Sequence, residues 1–192
     1  TMNDSWGYQH FDTNYKSPNM IIRTLVDCIA MGGNLLLDIG PKADGSIPQE
    51  QVAILKELGR WTTKHKEAIY GTRAGWADDN YVLEKNAFSK DGKTMYIYLD
   101  ALKEQVTIQG LIGKPKNIRL VGEENSVKLK FKYKEPFLVI PLADVNFDPA
   151  VTVIAIEFEE KPTFMPLPAM SKANSMASYT KLSKPKDAID HI

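Results

Sequence analysis

The sequence is poor in the residues that mark several protein classes. It has 192 residues but only one cysteine and three histidines. The single thiol, Cys28, excludes an internal disulfide framework. His10, His65 and His191 lie far apart, and no group of cysteines or carboxylates has the spacing of metal ligands. We therefore predict neither a metal site nor a disulfide-stabilised fold.

Excess charge and long apolar runs are also lacking. The 24 basic and 24 acidic residues balance to a formal net charge of zero, which gives no support to a nucleic-acid partner. No apolar run approaches the ~18 residues of a membrane span. No phosphate-binding glycine motif is present either. The sequence predicts no cofactor, nucleic-acid partner or membrane span, and it does not indicate an oligomeric state.

The most informative segment runs from Gly32 to Gly45. Paired glycines end an apolar helical run, and the apolar stretch Leu35–Ile39 is too short for a helix. Such a stretch predicts a parallel strand that is covered on both faces. Turn signals follow at 40–41 and 44–45. A helix, a buried strand and a polar loop form the repeating unit of an α/β barrel, whose chemistry lies at the carboxyl ends of the strands.

Two helices flank this segment. Ser17 and Pro18 predict the start of the first helix, and Pro48 predicts the start of the second. Apolar residues recur at helical spacing in the first helix at positions 21, 22, 25, 26, 28 and 29. The predicted buried stripe of the second helix consists of Val52, Leu55, Leu58, and Trp61 or Thr62. Lys64, His65 and Lys66 near its end are interpreted as cations that suit the helix dipole.

After residue 70 the pattern becomes β-rich. Short apolar or alternating runs, separated by turn signals, lie at 81–83, 94–99, 106–109, 118–121, 127–133, 137–140 and 151–158. Such runs predict an antiparallel β-sandwich. In 127–133 the lysines alternate with apolar residues, which predicts one wet face and one buried face. The predicted organisation is therefore a barrel segment over 1–70, a β-sandwich over 71–160 and an extended tail or linker over 161–192.

Five motifs occur in one order along the first part of the chain. They are Ser5–Tyr8, Gly32–Pro41, Ala43–Ile47, Leu58–Trp61 and Glu67–Thr72. This series resembles the carboxyl-terminal part of the catalytic domain of glycoside hydrolase family 29 α-L-fucosidases, over roughly residues 1–75. One departure is Asp38, where many members of that family have asparagine.

The resemblance implies a (β/α)8-like TIM barrel followed by a β-sandwich. It also implies a retaining exo-α-L-fucosidase, a glycosidase that removes terminal α-L-fucose from a fucosylated glycan. Retaining glycosidases use two carboxyl groups about 5–5.5 Å apart. The family's Asp nucleophile and Glu acid/base are expected before Thr1, together with the rest of the barrel. We therefore expect no catalytic residue in this chain and no activity from it alone. The family resemblance also leads us to expect a secreted, periplasmic or lysosomal location.

Trp6 is the predicted substrate-binding residue. An indole can lie against the apolar face and methyl group of a deoxy sugar, and the family places an aromatic here against fucose. The alternative is a core tryptophan beneath a loop. Tyr8 and His10 are weaker candidates on the same loop. Asp38 is predicted to hold the following loop by hydrogen bonds rather than to act in catalysis.

A second hypothesis is a non-catalytic carbohydrate-binding or structural β-sandwich attached to an inactive barrel. Exposed aromatic residues on the sandwich would favour it. Tyr96 and Tyr98 alternate with Met95 and Ile97, so one aromatic face exists, although a core face explains the same pattern.

Overall fold

The computed structural model describes residues 1–75, 82–123 and 127–165. Its two α-helices are α1 (Pro18–Ala30) and α2 (Gln49–Lys64), and a short 3-10 helix covers Lys66–Ala68. Ten strands follow in the described residues: β1 (Thr72–Ala74), β2 (Lys85–Ser89), β3 (Thr94–Leu99), β4 (Gln105–Ile108), β5 (Leu111–Ile112), β6 (Asn117–Leu120), β7 (Lys132–Lys134), β8 (Phe137–Pro141), β9 (Thr152–Glu157) and β10 (Thr163–Phe164). Among the described helices, none is long and apolar enough to cross a membrane.

The strands form an antiparallel β-sandwich, as predicted. One sheet has the order β1-β2-β3-β9-β6 and the other β4-β8-β7, while β5 pairs with β10. Every strand pair is antiparallel. Apolar side chains of both sheets meet in one buried cluster, which includes Met95, Ile97, Val106, Ile140 and Ile154. Burial of this shared face holds the two sheets together.

Some strand boundaries differ from the predicted ones. β3 has its predicted bounds, whereas the short, polar β1 and β2 were not predicted. Over 128–133 exposed lysines alternate with partly buried apolar residues, as predicted, but Val127 is 44% exposed, and only Lys132–Lys134 forms a strand. β10 lies in the segment predicted as a tail. Tyr81 and residues 166–192 lie outside the described residues.

The two helices cover the outer face of the five-stranded sheet. Ile22, Val26 and Trp61 pack there against Tyr96 and Tyr98, which are 5% and 2% exposed. The Trp61 indole N–H donates to the carbonyl of Val151 at 2.8 Å, and the Tyr98 hydroxyl donates to the carbonyl of Ala68. The tyrosine face therefore belongs to the core beneath the helices, and it offers no exposed platform for a sugar.

Charged side chains reinforce the helix–sheet contact. The Arg60 guanidinium donates to both carboxylate oxygens of Asp148, at 2.9 and 3.0 Å, and Lys64 lies 3.5 Å from the same carboxylate. The Asp148 side chain is only 2% exposed. Burial alone would raise the pKa of Asp148, but the hydrogen bond and charge of Arg60, with the charge of Lys64, hold it below the usual value. The carboxylate is therefore a compensated buried charge.

Helix α1 begins as predicted, with the Ser17 side chain accepting a hydrogen bond from the Met20 backbone N–H at 3.2 Å. The buried face of α2 is rotated from the predicted stripe. Its fully buried residues are Gln51, Ile54, Trp61 and, at the helix end, His65, while Val52, Leu55, Leu58 and Thr62 are only partly buried. Helix α2 contacts a sheet on one side and α1 on another, which widens its buried face.

His65 is not a surface cation. It is 1% exposed, and its Nδ1–H donates to the Trp61 carbonyl at 3.0 Å. Burial lowers the pKa of His65 to about 4, although the Trp61 carbonyl and the charge of Asp148 act in the opposite direction. Lys64 and Arg60 lower it further. The imidazole is therefore neutral at pH 7, and the predicted interaction of a charged His65 with the helix dipole is wrong.

The segment Leu35–Ile39 is not a strand in the structure. Leu35 and Leu37 pack against Met2, Ile21 and Ile54, whereas Leu36 is 93% exposed. The period-two alternation is that of a strand, but no described strand pairs with either edge. The predicted two-sided burial is wrong for this chain, because the helices cover one face and no described residue covers the other.

His65 makes stability depend on pH. An unperturbed histidine has a pKa near 6.5, whereas burial lowers the pKa of His65 in the folded chain to about 4. Above pH 6.5 His65 is neutral in both the folded and the unfolded state, and its contribution to stability is fully present. As the pH falls from 6.5 to 4, the unfolded state binds a proton that the folded state does not, and we expect the free energy of unfolding to fall by up to roughly 3 kcal/mol. Urea unfolding at several pH values should show this loss in the wild type, and His65→Gln should show less of it.

His10→Gln is the matched control, because His10 is exposed and should leave the pH dependence unchanged. Parallel stability profiles for the wild type and His65→Gln between pH 7 and 4 would contradict the assignment.

Candidate functional site

Residues 1–16 form a loop whose base is fastened by one carboxylate. Asp12 accepts hydrogen bonds from the Asn3 side chain at 2.9 Å, from the Ser5 backbone N–H at 2.8 Å and from the Asn14 backbone N–H at 3.2 Å. Hydrogen bonding by Ser5 holds the pKa of Asp12 below its usual value, although slight desolvation opposes this. Asp12 therefore ties the two ends of the loop together while it is ionised.

An apolar anchor joins this loop to the helices. Met2 is fully buried beside Ile21 of α1 and Ile54 of α2. Its carbonyl accepts a hydrogen bond from the Lys16 backbone N–H at 2.8 Å. Burying a methionine side chain stabilises a structure by roughly 1.5–3 kcal/mol. Met2 therefore holds the loop in one position on the helix pair.

Trp6 lies on this loop and is 87% exposed. The alternative of a core tryptophan therefore does not apply to the described structure. Tyr8 is half-buried, with the Lys42 ammonium 5.9 Å from its ring centroid. His10 is exposed and meets the exposed Phe11 edge-on, at 5.3 Å between ring centroids. The loop thus presents aromatic side chains to solvent from a fixed base, and exposed aromatic residues of this kind are typical of binding surfaces.

A second loop packs directly against the first. A Cβ atom on Gly40 would lie 2.7 Å from the Tyr8 backbone nitrogen and 2.9 Å from the Gly7 carbonyl carbon. Only a residue without a side chain permits this approach of two backbones. The Gly40 N–H donates to the side-chain oxygen of Gln51, at 3.0 Å in a buried position. Gly40 therefore joins the Trp6 loop to helix α2.

The loop that follows Gly40 is a compact turn. Lys42 and Ser46 are joined by a backbone hydrogen bond of 2.8 Å, and Asp44 accepts from the Ser46 N–H and hydroxyl at 2.9 and 2.7 Å. Gly45 has a φ of 81°, as the predicted turn requires. Asp38 is exposed and makes no hydrogen bond to the described residues. Gln51 therefore holds the start of this loop in place of Asp38, which lies on the exposed side of the alternation.

The sequence patterns did not identify Met2, Gly40 or Gln51 as parts of one site. The predicted stripe of α2 began at Val52 and Leu55 instead of Gln51 and Ile54, which concealed Gln51. Gln51, Ile54, Leu58 and Trp61 are spaced so that all four lie on one helical face. This spacing is the signal that could have identified Gln51.

No group of histidine, cysteine or carboxylate side chains within 1–75, 82–123 and 127–165 could hold a metal ion.

Comparisons with known proteins relate the first third of the chain to one family. Residues 1–67 match the family model described as "Alpha-L-fucosidase". The alpha-L-fucosidase of Dictyostelium discoideum is 42% identical over 74 residues, which are 38% of this chain and 16% of that protein.

Two solved structures extend the likeness into the sandwich. The first is alpha-L-fucosidase isoenzyme 1 from Paenibacillus thiaminolyticus, with a TM-score of 0.72 and 28% identity over 83% of this chain and 38% of that one. The second is the alpha-fucosidase of Thermotoga maritima in complex with fucose, with a TM-score of 0.63 and 28% identity over 81% of this chain and 37% of that one.

The fold of this chain is thus similar to part of the fold of two solved alpha-L-fucosidases. The chain is similar to alpha-L-fucosidases over residues 1–67 by the family model, and over more than four fifths of its length by structure. It spans about a sixth of the Dictyostelium relative and under two fifths of the two solved structures.

The contact between Gly40 and the Trp6 loop generates a stability prediction. Gly40→Ala places a methyl group 2.7 Å from a backbone nitrogen, and we expect it to lower the free energy of unfolding by roughly 1–3 kcal/mol. The matched control is Gly59→Ala in α2, where an added Cβ meets nothing within 4 Å. That variant should gain about 0.5–1 kcal/mol from helix propensity. Thermal unfolding that shifts equally in both variants would contradict the packing described.

Proposed function

We propose that this chain is the carboxyl-terminal portion of a retaining exo-α-L-fucosidase. In this proposal residues 1–70 close a (β/α)8 barrel, and the sandwich that follows supports it. The observation that carries the proposal is the position of Trp6, 87% exposed on a loop that Gly40 fastens beside the carboxyl end of Leu35–Ile39. In α/β barrels that end of a strand is where substrates bind.

The alternation over residues 34–38 supports the barrel part of the proposal. Leu35 and Leu37 pack toward the helices, while Asn34, Leu36 and Asp38 are exposed. A barrel strand contacts its helices with one set of residues and the barrel interior with the other. No described strand pairs with the edges of this segment, and such edges are suited to neighbouring barrel strands.

The proposed reaction divides the work between two parts of the protein. An Asp nucleophile attacks the anomeric carbon of fucose while a Glu protonates the leaving oxygen, and water then releases the sugar. Both carboxylates are proposed to precede Thr1. Trp6 contributes a rigid apolar surface for the ring face and methyl group of the deoxy sugar. The proposed substrate is a fucosylated glycan, as the fucose bound in the Thermotoga maritima structure suggests.

The experiment measures hydrolysis of an aryl α-L-fucoside by the longer protein that contains this chain. We expect Trp6→Ala to lower kcat/KM about 10-fold to 100-fold, the cost of roughly 1.4–2.7 kcal/mol of lost sugar contact. Phe11→Ala is the matched control, because Phe11 is a 71% exposed aromatic residue on the same loop. Equal effects of the two substitutions, or no hydrolysis by the unmodified protein, would contradict the proposal.

The 192-residue chain by itself should show no hydrolysis under the same conditions. Turnover by this chain alone would overturn the proposal that both carboxylates lie upstream.

A further inference from the structure

We propose that Gln51 is a positioning residue for Trp6. Its side-chain amide fixes Gly40, and Gly40 in turn fixes the backbone that carries the indole. This inference rests on the proposed sugar contact of Trp6 and adds to it a residue of helix α2 that makes no contact with the sugar.

The first observation is the cost of burying Gln51. The residue is 0% exposed, and its Nε2 group has no hydrogen-bond acceptor among the described residues. A buried amide with an unpaired donor destabilises a fold relative to an apolar side chain of the same shape. The compensating interaction is the 3.0 Å hydrogen bond that Oε1 accepts from the Gly40 N–H. A costly residue that makes one specific bond indicates a role in fixing the bonded partner.

The second observation is how directly Gly40 reaches the residues after Trp6. Its position allows no Cβ, because that atom would lie within 3 Å of the Gly7 and Tyr8 backbones. The two loops therefore touch backbone to backbone, with no flexible side chain between them to absorb a displacement. A shift of Gly40 must move Gly7, and Gly7 is bonded to Trp6.

The third observation is where the other fastenings of the loop lie. Asp12 bonds Asn3, Ser5 and Asn14, and Met2 anchors the chain before them. These contacts fix the base of the loop. The Gly40 contact, with Lys42 beside the Tyr8 ring, supports the opposite side, immediately after Trp6. Asp12 therefore holds the chain before Trp6, through Ser5, and Gln51 holds the chain after Trp6, through Gly40.

The test compares two glutamines of one helix. Gln51→Met keeps the length of the side chain and removes the amide, and Gln49→Met makes the same change at an exposed position. In ¹⁵N-labelled protein, the indole N–H signals of Trp6 and Trp61 are assigned with Trp6→Phe and Trp61→Phe. The Trp61 signal reports whether the buried helix–sheet contact is intact. We expect Gln51→Met to shift or broaden the Trp6 signal alone, and Gln49→Met to change neither.

An unchanged Trp6 signal in folded Gln51→Met would overturn the inference. If Gln51→Met loses the Trp61 signal and does not fold, Gly40→Ala perturbs the same contact from the loop side without altering α2. It should move the Trp6 signal and leave that of Trp61 in place. An unchanged Trp6 signal in Gly40→Ala would then overturn the inference.

A kinetic arm on the longer protein separates positioning from general stability. Gln51→Met should lower kcat/KM for the aryl α-L-fucoside roughly threefold to tenfold in the wild-type background and have little further effect in Trp6→Ala. An equal loss in both backgrounds would contradict positioning through Trp6. If the longer protein hydrolyses no fucoside, the proposed function fails, and the indole signals still decide whether Gln51 positions Trp6.

Discussion

The structure depends on a helix pair that is apolar on two sides. One side of α1 and α2 packs on the five-stranded sheet through Trp61, Tyr98 and their neighbours. The other side seats Met2 together with Leu35 and Leu37. Because buried apolar area is the main source of stability, the sheet fixes the helices and the helices fix the loop that carries Trp6. The ion pair of Arg60 with the buried Asp148 adds a polar contact of specific geometry to this apolar packing.

The features that local sequence determines were predictable. Ser17 and Pro18 set the start of α1 by capping chemistry, and the alternation in Thr94–Leu99 set β3 and both of its faces. Features that depend on residues distant in the sequence were not predictable. His65 has the sequence position of a surface cation, but the fold buries it beside Trp61. Leu35–Ile39 was predicted as a buried strand, but no described strand pairs with it. The resemblance to fucosidases identified Trp6 as a candidate, but the Gln51–Gly40 connection required coordinates.

In the proposed function this chain contacts the sugar but supplies neither of the two catalytic carboxylates. In that proposal the sugar-binding Trp6 and the residues that hold its loop lie within 1–51, and the two carboxylates lie in a different part of the protein. The position of the Trp6 loop then depends on the helix pair, and the position of the helix pair depends on the sandwich. If Trp6 binds the sugar as proposed, substitutions at the helix–sheet contact alter sugar affinity by moving Trp6, without any contact to the sugar.

The central claim is that Leu35–Ile39 is a barrel strand whose partners lie upstream, and amide hydrogen exchange tests it most directly. In the 192-residue chain these backbone amides make no hydrogen bond to the described residues, so they should exchange at nearly the unprotected rate. In the longer protein they should be protected as strongly as the amides of β3. Unprotected amides at Leu36 and Leu37 in the longer protein would contradict the account.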